Sequence, residues 1–231
     1  MSIALKQIIL ESEEASLQQL EDFLPHKKSW LMMGDLSFFS TIAALHVGPP
    51  LILNNHLLKS GTNLVSRWDK LALADHSIDA CFLPHILERC LNPHEVLRET
   101  YRILKPEGLL LLSHFNPYSL WGFYHLYQKL SKISRHVNFL SKNRIYDWLS
   151  LMDFEIIESR NFLWRPPLPS VFLQKNLKLL DYWHWLSFIP FMGGAYWILA
   201  QKRTIPLIPV KNNKRNWLLK RSPPEEIPLE T

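Results

Sequence analysis

Asn92-Pro93-His94-Glu95-Val96-Leu97-Arg98-Glu99, continued by Arg102-Ile103-Leu104-Lys105-Pro106-Glu107-Gly108 and then Leu109-Leu110-Leu111-Leu112, is the stretch that decides how this chain is read. Asn92 stands at an N-cap, Pro93 at the first helical position and Glu95 at the third, where the helix dipole favours an acid. Leu97, Tyr101 and Leu104 then recur at i, i+4 and i+7, one apolar face of a helix. Pro106 stops that helix, Gly108 permits a positive φ, and the four leucines read as a strand buried on both faces. A helix, a turn and a buried strand in direct succession point to an α/β domain.

Working outward, the same alternation continues on both sides. Trp30-Leu31-Met32-Met33 before Gly34 reads as a short buried strand ending in a turn, with a helix from Phe38 to Leu45 after it. Leu51-Ile52-Leu53 is a second strand, Asn63-Leu64-Val65 a weak third, and Ile78 to Leu83 a fourth. Upstream, Ser12 reads as an N-cap with Glu13 and Glu14 in the first turn of a helix over 12–24. Downstream come an aromatic helix after Asn116-Pro117, a helix near 142–152, a strand near 154–161, a helix near 170–186 and a last strand near 195–202. The expectation is one domain over 1–203 with a mostly parallel sheet covered on both faces.

Composition supports a single large core and narrows the partners. Of 231 residues 47% are hydrophobic, and 26 basic against 21 acidic residues give a net charge of +5. Much of that surplus falls in the last thirty residues, which hold Lys202, Arg203, Lys211, Lys214, Arg215, Lys220 and Arg221 against Glu225, Glu226 and Glu230. A nearly neutral body argues against a nucleic-acid surface built into the fold. The segment 204–231, basic and rich in proline, reads as a disordered tail, and any weak contact with a polyanion or a membrane surface falls to it. Cys81 and Cys90 have no second pair and no nearby His at ligand spacing, so neither a disulfide framework nor a metal site is expected. The uncharged run from Tyr182 to Gln201 contains Pro190 and Gly193-Gly194, which favour a helix, turn and strand over a spanning helix. With no signal-peptide pattern at Met1-Ser2-Ile3, the expected location is cytoplasmic.

Two positions draw attention on chemistry alone. Gly34-Asp35 ends the first strand, where open α/β sheets bind ligands. His85, in Leu83-Pro84-His85, follows the fourth strand and is placed at the mouth of the same crevice, where an imidazole titrating near neutrality can serve as a catalytic base. His114 ends the next strand and reads as a core or rim histidine. Tyr118, Trp121, Phe123, Tyr124 and Tyr127 make the following segment aromatic, a candidate lid over an apolar acceptor or a membrane-resting face.

The runs Lys70-Leu71-Ala72-Leu73-Ala74-Asp75-His76-Ser77-Ile78-Asp79, Leu91 to Glu99 and Arg102 to Gly108 resemble class I S-adenosylmethionine-dependent methyltransferases of the type 11 group. The resemblance implies a doubly wound, seven-stranded, Rossmann-like sheet whose last strand is antiparallel, with S-adenosylmethionine across the C-terminal ends of its first strands. It also implies a cofactor site made by Gly34, Asp35, Asn54, Asp69, Lys70 and Leu71. The chain departs from the pattern in three places. Met33-Gly34-Asp35-Leu36-Ser37-Phe38 keeps only the first glycine of the expected loop, Asn54-Asn55 stands where an acid holds the ribose hydroxyls, and Arg67 stands where a third acid is expected, with Asp69 two positions on. Methyl transfer to a small-molecule acceptor is the function this implies. The alternative is a methyltransferase-like interaction protein that no longer catalyses.

Overall fold

The structure, a computed structural model, describes residues 3–17, 29–34, 51–54, 64–130, 138–167 and 193–203. Its elements in chain order are α1 (Ile3–Leu17), β1 (Trp30–Met33), β2 (Leu51–Asn54), β3 (Leu64–Val65), β4 (Ile78–Pro84), α2 (Pro93–Ile103), β5 (Leu104–Phe115), α3 (Leu120–Leu130), α4 (Lys142–Leu151), β6 (Phe154–Phe162) and β7 (Ala195–Lys202). The seven strands form one sheet in the order β3-β2-β1-β4-β5-β7-β6. The β3, β2, β1, β4 and β5 strands pair in parallel, and β7 enters antiparallel to both β5 and β6. The doubly wound sheet with an antiparallel last strand is therefore as expected. Strand order reverses between β1 and β4, the switch point where a crevice opens at the carboxyl ends of such sheets.

The alternation of side chains along each strand builds two cores. Trp30, Met32, Phe82, Leu109 and Leu111 face one side, against Leu5, Ile8, Ile9 and Leu17 of α1 and Trp121 of α3. Leu31, Met33, Cys81, Leu83, Leu110 and Leu112 face the other, against Val96 and Leu97 of α2 and Ile145 and Leu149 of α4. Each fully buried leucine or isoleucine contributes about 1.5–3 kcal/mol. These apolar layers hold the carboxyl ends of β1, β4 and β5 in place.

The deciding stretch folds as predicted, with two corrections. Asn92 is the N-cap residue of α2, but its side chain makes no capping hydrogen bond. Between α2 and the leucines there is no separate loop, because β5 begins at Leu104 and a register shift against β4 absorbs the extra residues. Within that irregularity Glu107 takes the positive φ of 60°, not Gly108. Gly108 is required for a different reason, since a Cβ there would stand 2.7 Å from the Lys105 carbonyl oxygen. Lys105 donates to Asp79 Oδ1 at 2.9 Å, and Asp79 Oδ2 accepts from the Ser29 N–H and hydroxyl at 3.0 and 2.7 Å. These bonds pin the entries of β1, β4 and β5 to one carboxylate.

The helix read over 12–24 is instead α1, already helical from Ile3, so Ser12 and Glu13 lie inside it and are buried. Its sheet-facing positions carry those two polar residues among leucines and isoleucines. The helices expected over 38–45 and 170–186 and the tail from 204 lie outside the described residues. The strand at Ala195–Lys202 confirms the end of the uncharged run as sheet. Among the described residues no helix is long and apolar enough to cross a membrane. Cys81 and Cys90 are free and buried, and burial pushes both thiols up, Cys90 to about 12.

Candidate cofactor and acceptor site

At the carboxyl end of β1 the chain turns at Gly34, whose φ is +116°, and the Gly34 N–H donates to Leu53 O of β2 at 3.0 Å. A Cβ on Gly34 would meet Ile86 Cδ1 at 2.8 Å. Only glycine satisfies both the dihedral and the space here. Asp35 lies outside the described residues. Asn54 is the last residue of β2, as expected, and its side chain is likewise outside the description.

The loop before β4 is fixed from α2. Arg102 donates to the Leu71 and Leu73 carbonyls at 3.0 and 2.9 Å, pairs with Glu99 at 2.9 Å and also pairs with Asp75. Glu99 in turn accepts the Leu71 N–H at 3.0 Å, so the buried Leu71 is held at side chain and main chain. Asp69 and Lys70 lie in the tight turn closed by the Arg67–Lys70 bridge. Both Asp69 oxygens are taken by Arg67, at 2.9 and 2.6 Å, and this pairing lowers the Asp69 pKa. The arginine standing where an acid was expected thus neutralises its nearest acid.

The turn that carries Ile86 to Gly34 also carries His85 and Glu88. The structure places His85 at the carboxyl end of β4, as predicted, with a φ of +50°. The expectation of a base at an open crevice mouth needs correction. His85 is 1% exposed, stacks on Phe115 at 4.2 Å and donates from Nδ1 to Glu88 Oε1 at 2.8 Å. The same Glu88 oxygen accepts the Phe115 N–H at 2.6 Å. Burial works against the charge on both groups, yet their mutual attraction wins: the His85 pKa is raised and that of Glu88 is held down at about 2. His85 is therefore half of a buried ion pair and not an exposed base.

Around this pair stand groups that sequence reasoning assigned no chemistry. Glu13 of α1 is 0% exposed, and neither carboxylate oxygen has a hydrogen-bond partner in the structure; burial raises its pKa. His114 is 1% exposed and stacks on Tyr196, and its Nδ1 lies 2.7 Å from Phe115 O. A carbonyl only accepts, so Nδ1 carries the proton and Nε2 is left as an acceptor. Burial lowers the His114 pKa and takes that of His125, on α3, to about 4. A small pocket opens beside them, lined by Glu88, His114, Phe115, Gly122, His125 and Phe139 among others. The signal for Glu88 was available: it is an acid three residues after His85 inside an otherwise apolar run. Among the described residues no cluster suited to a metal ion occurs.

Residues 34–112, from the Gly34 turn to the middle of β5, match the family model described as methyltransferase domain. The chain is 38% identical over 147 residues to YafS of Escherichia coli (strain K12), described as uncharacterized, and the match covers 62% of this chain and 57% of that protein. Among solved structures it resembles an S-adenosylmethionine-dependent methyltransferase from Thermotoga maritima, with a TM-score of 0.64 and 17% identity over 86% of this chain and 91% of that one. A second, from Archaeoglobus fulgidus, gives a TM-score of 0.58 and 16% identity over 83% of this chain and 95% of that one.

Proposed function

On the premise that this chain carries, over residues 34–112, a methyltransferase domain of the class I fold, we propose that it binds S-adenosylmethionine and transfers the methyl group to a small-molecule acceptor. The Gly34 turn is the observation that carries this reading. It has a positive φ and stands at the end of β1 beside the switch point, where open α/β sheets bind ligands.

Gly34 and Asp35 would hold the methionine portion, Asn54 the ribose hydroxyls, and the turn Asp69-Lys70-Leu71 the base. Asparagine accepts more weakly than an ionised acid, and Asp69 must be shared with Arg67, so the affinity is lower than an intact loop and two free acids would give. S-adenosylmethionine, when bound, supplies a methyl group on a positively charged sulfur. The chain would supply position, because holding the acceptor in line is enough to accelerate transfer. His85 orients Glu88 and leaves proton transfer to other groups.

Titration calorimetry of the chain with S-adenosylmethionine and S-adenosylhomocysteine tests the reading. Saturable heat with the wild type, lost in Gly34→Val, is the expected result. A folded wild type giving no heat at millimolar cofactor would favour the non-catalytic interaction protein.

A further inference from the structure

We propose that α3 rests on the surface of an anionic lipid bilayer, with Leu120, Phe123, Tyr127 and Leu130 entering the headgroup layer. These four recur at i, i+3, i+7 and i+10, so they form one stripe along the helix, with Leu126 at its margin. All four are between 59% and 75% exposed. The opposite side of α3 is taken up by the fold. Trp121 is 1% exposed, stacks on Phe115 with ring centroids 5.9 Å apart, and donates its indole N–H to Arg165 O at 2.6 Å. Asn116, just before the helix, donates to Gly193 O at 3.0 Å and accepts the Tyr118 N–H at 3.1 Å. The helix therefore cannot roll its outer stripe inward without breaking these contacts. A water-facing helix of this chain looks different: α2 sets Arg98 against Glu95 at 3.4 Å on its outer side, and both are exposed.

A contiguous exposed apolar stripe marks a contact surface, and the charge around it selects the occupant. Between Glu107 and Asp147 the sequence has no acidic residue, while Lys129, Lys132 and Arg135 fall at the end of α3 and just after it. On α1, which packs on the same side of the sheet, Glu11 faces Arg165 at 3.6 Å. Lysine and arginine next to an apolar stripe suit an anionic leaflet, whose attraction reaches about 8–10 Å at physiological ionic strength. Leucine and phenylalanine suit the boundary between headgroups and acyl chains, and tyrosine keeps its hydroxyl wet there. With 11 residues α3 is too short to span a bilayer, so it lies in the plane of the surface. None of this depends on the methyltransferase reading above.

Flotation of the full chain with vesicles tests this, using phosphatidylcholine alone and phosphatidylcholine mixed in equal parts with phosphatidylglycerol. The wild type should bind the mixed vesicles about tenfold or more tightly than the neutral ones, and high salt should weaken that binding. Phe123→Ser combined with Tyr127→Ser should weaken it by about tenfold or more at an unchanged melting temperature, since both side chains are exposed. Lys129→Gln combined with Lys132→Gln should weaken binding to the mixed vesicles and leave the neutral ones unaffected. In Phe123→Cys carrying an environment-sensitive dye, emission should shift to the blue on the mixed vesicles; Cys81 and Cys90 are buried and stay unlabelled. A wild type that does not float, equal affinity for both vesicles, an unshifted dye, or full binding by the Phe123 and Tyr127 double variant would overturn the proposal, the last by assigning the contact to another segment such as 204–231. A dimer that forms with concentration and is lost in the double variant, without vesicle binding, would overturn it in favour of a second copy of this chain.

Discussion

Glu88, in the turn after β4, accepts the Phe115 N–H at the end of β5 at 2.6 Å, so one buried carboxylate joins the two strands that frame the candidate acceptor pocket. The same oxygen holds His85 at 2.8 Å. Glu88→Ala leaves an unpartnered amide and an uncompensated imidazolium in the interior. It should destabilise the fold by about 3–5 kcal/mol, measured by urea unfolding. A loss under about 1 kcal/mol would mean that water replaces the carboxylate.

The His85–Glu88 pair gives a pH window. His85 has a raised pKa, so its stabilising contribution is complete below about pH 6.5 and is lost as the pH rises through its folded value. Glu88 is held down, so its contribution is complete above about pH 4.5 and is lost as the pH falls towards about 2. The stability difference between wild type and His85→Gln should therefore be largest near pH 5.5 and shrink by pH 8.5. Denaturant midpoints of both proteins at the two pH values check this, and a difference that grows with pH would refute it.

Glu13 behaves in the opposite sense. Its carboxyl is buried without a hydrogen-bond partner and its pKa is raised, so ionisation opposes folding once the pH passes the unfolded value of about 4.5. Glu13→Met should stabilise the chain by about 1 kcal/mol or more at pH 8, with the gain shrinking towards pH 4. Thermal melts across that range are the measurement.

Asp79 serves the far end of the sheet. Burial works against its charge, but Lys105 and Ser29 hold its pKa at about 2. Asp79→Asn should cost about 1–2 kcal/mol at pH 7, discounted for its partial exposure. That cost should fade as the pH drops from about 4 to about 2, through the values at which the carboxylate is protonated unfolded and then folded.

Strands and helices with period-2 or period-3.6 apolar patterns were legible, as β4, α2 and β5 show, because burial of one face or stripe decides them. The misread positions depend on partners distant in sequence. Ser12 and Glu13 look like a cap and a first turn until the apolar positions Leu5, Ile8, Ile9 and Leu17 place them on the face of α1 that packs on the sheet. Gly108 looks like a positive-φ residue until Asp79 and Lys105 carbonyls crowd it from both sides. The position of His85 at the strand end followed from the pattern of β4. Its burial did not, since that requires Glu88 to reach Phe115 and α1 to lie over the end of the sheet.

The most direct measurement is a crystal structure of the chain grown with S-adenosylhomocysteine at saturating concentration. The account predicts the ligand across the carboxyl ends of β1 and β2, its amino-acid portion against the Gly34 main chain beside Ile86 and its base near Asp69 and Leu71. A ligand bound elsewhere, or Ile86 still packed on Gly34 with no ligand between the sheet edge and the Asp69 turn, would contradict it.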